Sequence, residues 1–211
     1  MNTGNAFYAG LLEALTSVMG SAKGYLRDHG PMVAMLASQI GRELGLSKAE
    51  CSEIFFAAVL SDMGMVGLAE DAWENPAPTL TADVRERVEM HPRRSEERVR
   101  GIPHLEDLAP LLRHHHEWWD GSGYPDGLRG EDIPVGARIL RLADTVAALG
   151  QKRPHRGPLE PDAVQEIDPY ARLAENFDQQ FESELNAKDR WADVQSKSRN
   201  LFGSFDKLSR A

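Results

Sequence analysis

Apolar positions along the chain recur at helical spacing and almost never alternate. Phe7, Tyr8, Leu11, Leu12, Leu15, Val18 and Met19 follow the i, i+3, i+4 rule of one buried helix face. Val33, Leu36, Ala37, Ile40 and Leu44 repeat it, and Gly45 is placed to stop that helix. The stretch CSEIFFAAVL (51–60) is apolar almost all round, which predicts a central buried helix. Residues 81–90 predict another, ending near His91, because a residue before proline is pushed out of the α region. Leu105 to Glu117 reads as mostly helical despite Pro110. In IPVGARILRLADTVAAL (133–149), proline stands near the first turn, and Ile139, Leu142, Val146 and Leu149 share a face. Two further helices are predicted over 159–167 and 170–186, with Pro/Gly loops at 74–80, 121–134 and 150–161. The fold class expected is all-α, with few strands.

Composition narrows the setting. With 211 residues, the chain has enough length for a substantial core, in one domain or one domain with an extension. A net charge of −9 argues against general binding to nucleic acid or anionic lipid, but not against an anionic substrate beside a bound metal. Cys51 is the single cysteine, so no intramolecular disulfide forms, which fits a reducing compartment. No apolar run reaches the length of a membrane span, and the N-terminus lacks a basic leader, so the expected location is the cytoplasm.

The chemistry concentrates in RHHHEWWDGSGYPDGLRG (113–130). Adjacent histidines on a helix diverge by about 100°, so two neighbours share an ion only near a helix end. Gly121 and Gly123 put such an end immediately downstream, and both are expected to take backbone angles closed to other residues. By itself this stretch fits a metal site or a polar surface turn equally well. Other residues shift the balance. VLSDMGMVG (59–67) leaves a buried helix through Asp62, which is costly to bury unless a cation pairs with it. MHP (90–92) puts His91 at another helix end, and Asp144 stands among Leu142, Ala143 and Val146. Each alone suits a cap or an ion pair. Together they set imidazoles and carboxylates where helices converge, a donor set that suits zinc, iron or manganese.

The segment HHEWWDGSGYPDGLRGEDIPVGARILRLAD (115–144) resembles the signature of the HD-GYP family, a branch of the HD phosphohydrolase superfamily. LGLS (44–47), LSDMGMVG (60–67), MHP, RPHRGPL (153–159) and AENFDQQF (174–181) support the resemblance in order. It implies an HD-domain-type helical bundle with HD-GYP C-terminal helices over residues 1–186, and leaves 187–211 as a C-terminal helical extension. Many such proteins are metal-dependent phosphodiesterases that hydrolyse the bacterial second messenger cyclic di-GMP. The metal ligands implied are His29, Asp62, His91, His115, His116 and Asp144, with Asp62 bridging two ions as the catalytic carboxylate and His114 a bystander. Arg153 and Arg156 fall where the family places cations facing substrate phosphate, a role that suits planar guanidinium.

Departures from the family pattern are as informative. Ser61 replaces the histidine of the HD pair, Met65 the lysine after it, Tyr25 a glutamate before the first histidine, and Ala147 an aspartate after Asp144. One metal position thus keeps Asp62, His91, His115 and His116, while its neighbour keeps His29, Asp62 and Asp144. One or two ions of iron, manganese or zinc are expected, and no third. Two functions stay open: a phosphodiesterase for cyclic di-GMP or a related cyclic dinucleotide, with reduced activity, or an inactive domain that binds cyclic dinucleotides or partner proteins. Tyr124, in an ordered Gly-Tyr-Pro loop, is expected at the rim of the cleft, facing substrate or a signalling partner. Trp118 and Trp119 are expected either to stack on a guanine base or to pack on the core. Leu201, Phe202, Phe205 and Leu208 offer a helical stripe for an intrachain contact or a homodimer.

Overall fold

The computed structural model describes residues 26–68 and 79–150, with positions 14, 17, 72 and 157 besides. The predicted helix at 7–19 (positions 14 and 17 apart), those at 159–167 and 170–186, the stripe at 201–208, Tyr25, Arg153 and Arg156 lie outside the described residues. So does the 187–211 extension.

Six α-helices organise the described residues: α1 (Leu26–Glu43), α2 (Lys48–Leu60), α3 (Ala82–Glu89), α4 (His91–Val99), α5 (Ala109–His114) and α6 (Val135–Gly150). A 3-10 turn, Ser61–Met65, continues α2, and no strand occurs among the described residues. The fold is an all-α bundle. No helix among the described residues is long and apolar enough to cross a membrane.

Helix ends obey local chemistry. Gly45 takes the left-handed conformation (φ +79°) that stops α1. Ser47 then caps α2 through a reciprocal pair: its Oγ accepts from the Glu50 amide at 3.2 Å, and Glu50 Oε2 accepts from the Ser47 amide at 2.8 Å.

α1 lies against α2 and α6, and these three carry the core. Val33, Ile40, Ile54, Ile139, Leu142 and Val146 fill it. Alanines 34, 37, 57, 58, 143 and 147 are all fully buried and let the helix axes come close. Ala147, where the family pattern places an aspartate, is therefore part of the core. The faces expected on α1 and α6 are the ones buried, with Leu44 and Leu149 partly covered at the margin.

α3 ends at Glu89, near His91 as expected, but His91 is itself helical: it opens α4, where Pro92 is tolerated in the first turn. Apolar spacing did not announce α4, because much of its buried face is polar: His91, Ser95 and Glu96 join Pro92 and Val99. The segment from Leu105 to Glu117 resolves into a 3-10 turn (Glu106–Leu108) and α5, with Pro110 tolerated in the first turn of α5.

Candidate metal centre

Asp62 reaches the site because the 3-10 turn is pressed onto α4. A Cβ on Gly64 would stand 2.0 Å from the His91 carbonyl oxygen, so only glycine permits this approach. Ser95 Oγ accepts from the Gly64 amide at 2.8 Å and donates to the Ser61 carbonyl at 2.6 Å, holding the turn from both sides. Asp62 Oδ1 then lies 3.7 Å from His91 Nε2, and Oδ2 3.9 Å from His29 Nε2.

His91 opens α4 and His115 closes α5. His91 Nδ1 contacts the Val88 carbonyl at 2.7 Å, and His115 Nδ1 contacts the Leu112 carbonyl at 2.7 Å. A carbonyl only accepts, so both Nδ1 atoms carry hydrogen and both Nε2 atoms of the neutral rings carry lone pairs. These two Nε2 atoms face each other at 3.2 Å. Two lone pairs in that position repel unless a cation lies between them. Nitrogens bound to one ion at roughly 2.0–2.1 Å each stand about 3 Å apart, so the pair fits a shared metal. Burial pushes both imidazoles toward the neutral form, His115 down to about 4, and a charge on His91 would work further against one on His115. One nitrogen from each of His91, His115 and His116 lies within 4.8 Å of the others.

His29 on α1 and Asp144 on α6 close the other side, with Nε2 and Oδ1 2.8 Å apart. Burial alone would raise the Asp144 carboxyl, but the His29 hydrogen bond and nearby positive charge hold it well below the usual carboxylate range. All six sequence-predicted ligands thus converge. His114 does not: its Nε2 turns to Asp126 Oδ2 at 3.1 Å.

The departures read clearly in three dimensions. Ser61 Oγ donates to the Ala58 carbonyl at 2.9 Å and is spent on capping its own helix. Met65 is buried with Met63, Val66, Leu68, Ala72 and Val88 in a small satellite cluster.

The Gly-Tyr-Pro loop is ordered, and its anchor is Glu117. This carboxylate is 2% exposed and accepts from the amides of Asp126 (2.8 Å), Gly127 (3.1 Å) and Leu128 (3.2 Å). Gly121 takes positive φ as expected, but Gly123 serves a different need. A Cβ there would lie 2.3 Å from the Trp118 nitrogen, so Gly123 answers a close approach of backbones and not a forbidden angle. Asp126 ties the loop to α4 and α5 through Arg93 at 3.0 Å and Arg113 at 2.5 Å. Tyr124 is half-buried and stacks on His116, with ring centroids 4.9 Å apart at 21°. It therefore contacts a predicted ligand directly as well as closing the loop.

Two site residues escaped the sequence. Glu117 stands beside the histidines, but its partners are backbone amides about ten residues away. Arg141 reaches His116 Nδ1 at 2.8 Å and lies over the Trp118 ring, 4.1 Å from its centroid. Its i, i+3 spacing to Asp144 was the available signal. Trp118 itself packs against the core.

A model of the HD domain family matches residues 13–180. The chain is 38% identical over 131 residues to the cyclic di-GMP phosphodiesterase response regulator RpfG of Xanthomonas campestris, covering 61% of this chain and 34% of that protein. It is 36% identical over 145 residues to a cyclic di-GMP phosphodiesterase of Thermotoga maritima, covering 66% of this chain and 39% of that one. The crystal structure of V-cGAP3, a cyclic GMP-AMP-specific phosphodiesterase of Vibrio cholerae, aligns with a TM-score of 0.57 at 20% identity, over 90% of this chain and 53% of that chain. The chain spans between 34% and 39% of the length of the two curated relatives named. Helical bundle and histidine–aspartate cluster together define the HD class of domain. The chain belongs to the HD domain family, in its HD-GYP branch.

Proposed function

We propose that this chain is the HD-GYP unit of a metal-dependent phosphodiesterase that opens cyclic di-GMP, or a related cyclic dinucleotide such as 3'3'-cGAMP, to a linear dinucleotide. The observation that carries the reading is the pair of His91 and His115 Nε2 atoms, 3.2 Å apart with Asp62 beside them. Relatives named for both cyclic dinucleotides support the substrate class.

His91, His115 and Asp62 would hold a divalent ion, iron, manganese or zinc, with His116, His29 and Asp144 on its flank. When bound, such an ion supplies Lewis acidity and acidifies a water molecule. The rest falls to the protein. Asp62 is 22% exposed at its side chain, so it meets solvent while lying against the histidines. Its Oδ2, the oxygen turned toward His29, is placed to orient the attacking water and take its proton. Water adds across one phosphodiester bond, and the ribose oxygen leaves with a proton.

Tyr124 borders the substrate side of His116. Arg153 and Arg156 are proposed to meet the second phosphate, and the Gly-Tyr-Pro loop to serve as the docking surface for a signalling partner. Ser61, tied to its own helix, supports the reading of reduced activity.

The test is hydrolysis by purified protein loaded without oxygen with iron(II) or manganese(II), with product formation followed by chromatography. Chelated protein is the control. Turnover of cyclic di-GMP or 3'3'-cGAMP that chelation abolishes supports the proposal. Tight binding of either nucleotide with no turnover under any metal overturns it in favour of a binding module.

A further inference from the structure

α6 brings a positive charge into this centre. Arg141 stands one turn before Asp144, with its side chain 16% exposed. One terminal nitrogen donates to His116 Nδ1 at 2.8 Å and lies 3.9 Å from Asp144 Oδ2. The guanidinium sits over Trp118, which fixes its plane. Its Nε is buried and makes no hydrogen bond.

Guanidinium has donors and no acceptor. His116 Nδ1 must therefore accept, and the hydrogen of the neutral His116 ring sits on Nε2. In this arrangement the one lone pair of the neutral His116 ring is engaged by Arg141, and none is left for an ion. Asp144 in turn divides its oxygens between His29 and Arg141. A second divalent ion beside Asp144 would meet a fixed positive charge a few ångströms away. That same charge, with a donor to spare and a planar face, suits a phosphate oxygen.

We infer that Arg141 is the second positive charge of this centre: it occupies the place of a second ion beside Asp144 and takes a phosphate oxygen of the substrate. The metal is then confined to the His91–His115–Asp62 corner. The phosphate half of this inference rests on the phosphodiesterase reading; the exclusion of a second ion does not.

Wild type, Arg141→Ala and Arg141→Lys separate the two. Each is loaded with manganese(II), desalted and analysed for metal per chain. Each is also titrated calorimetrically with cyclic di-GMP in metal-free form, which isolates the contribution of the side chain and prevents turnover. Wild type should hold one ion. Arg141→Ala should approach two and bind cyclic di-GMP at least about tenfold more weakly, the loss of a charge-assisted contact. Arg141→Lys should keep one ion but bind several-fold more weakly, because a point charge lacks the planar donor pair. Two ions in wild type, one ion in Arg141→Ala, or unchanged nucleotide affinity in Arg141→Ala each overturn the inference. If wild type neither binds nor hydrolyses either cyclic dinucleotide, the phosphodiesterase reading has failed, and the metal count of Arg141→Ala alone decides whether Arg141 excludes an ion. Should Arg141→Ala not fold, Arg141→Gln keeps a stem over Trp118 without the charge and carries the same readouts.

Discussion

Glu117→Gln is nearly isosteric and removes one charge from beneath the Gly-Tyr-Pro loop. Glu117 Oε1 serves the amides of Asp126 and Gly127, and Oε2 serves Leu128. Glutamine can keep its carbonyl on the first two. Its NH2 then faces the Leu128 amide, donor against donor. A hydrogen bond to a charged group contributes about 1.5–3 kcal/mol, and a neutral one about 0.5–1.5. Losing one charged bond and weakening two, less the easier burial of a neutral amide, comes to roughly 2–4 kcal/mol. The loss falls on loop opening, because the three amides belong to one short segment. Hydrogen exchange at 126–128 should accelerate by ~30- to ~700-fold, while Ile139 and Leu142 in the core of α6 stay protected. Tyr124, on the same loop, should lose its stack on His116, which quenching of its fluorescence reports. Unchanged exchange at the three amides refutes the anchoring role. A uniform rise across α6 refutes it too, since it would show that Glu117 supports the whole bundle and not the loop.

Further outcomes follow from the same geometry. Metal analysis of His91→Ala/His115→Ala should show loss of the tightly held ion, and retention of wild-type metal content would sink the assignment of that corner. Gly64→Ala should cost about 1–3 kcal/mol or more by overpacking and weaken metal binding, because the turn must leave α4; a wild-type urea midpoint would contradict the close contact. Metal-free protein should lose stability as pH falls from about 6.5 toward 4. Burial holds the folded His115 near 4 while the unfolded chain titrates near 6.5, so the unfolded state binds more protons in that window. His115 alone gives a loss of roughly 2 kcal/mol by pH 5, with His91 adding in the same direction. Urea midpoints in chelator that stay constant from pH 7 to pH 5 would rule this out.

Legibility in the sequence followed the range of the interactions. α1 and α6 bury apolar stripes, and their period shows in the sequence. Asp62 and Asp144 were visible as charges out of place among apolar neighbours. α4 was not visible, because its buried face consists largely of groups whose partners are elsewhere: Ser95 serves Gly64 and Ser61, and Glu96 pairs with Arg113 and Arg100. A polar residue buried by a distant partner looks like a surface residue in one dimension. Glu117 and Arg141 were missed for the same reason. Gly123 was flagged as special, but for the wrong cause: a close approach and a forbidden angle leave the same mark in a sequence.

The two halves of the centre are held by different means, and this bears on how the site responds to change. His91 and His115 have their Nδ1 atoms committed to main-chain carbonyls one turn back in their own chain. Those bonds fix ring and tautomer together, and no side chain can move to release them. Asp62 shares that rigidity through the Gly64–Ser95 contact. On the other flank, His116, Asp144 and Tyr124 are set by side chains: Arg141, His29 and a loop that depends on Glu117. A rigid pair of lone pairs, preorganised at the spacing of a shared ion, gives the first position its affinity at little cost in reorganisation. The second flank can rearrange when Arg141 leaves His116 for a phosphate. His116 Nδ1 then gives up its donor, and the ring is free to change tautomer and offer a lone pair to the ion. Substrate binding and the ligand set at His116 are therefore coupled through one guanidinium. Any phosphate-bearing ligand that recruits Arg141 should change the metal environment, while a ligand without phosphate should not. Paramagnetic relaxation of water protons by bound manganese, measured with and without cyclic di-GMP, reads that coupling directly. An identical relaxation rate in wild type with saturating nucleotide would show that the two flanks act independently.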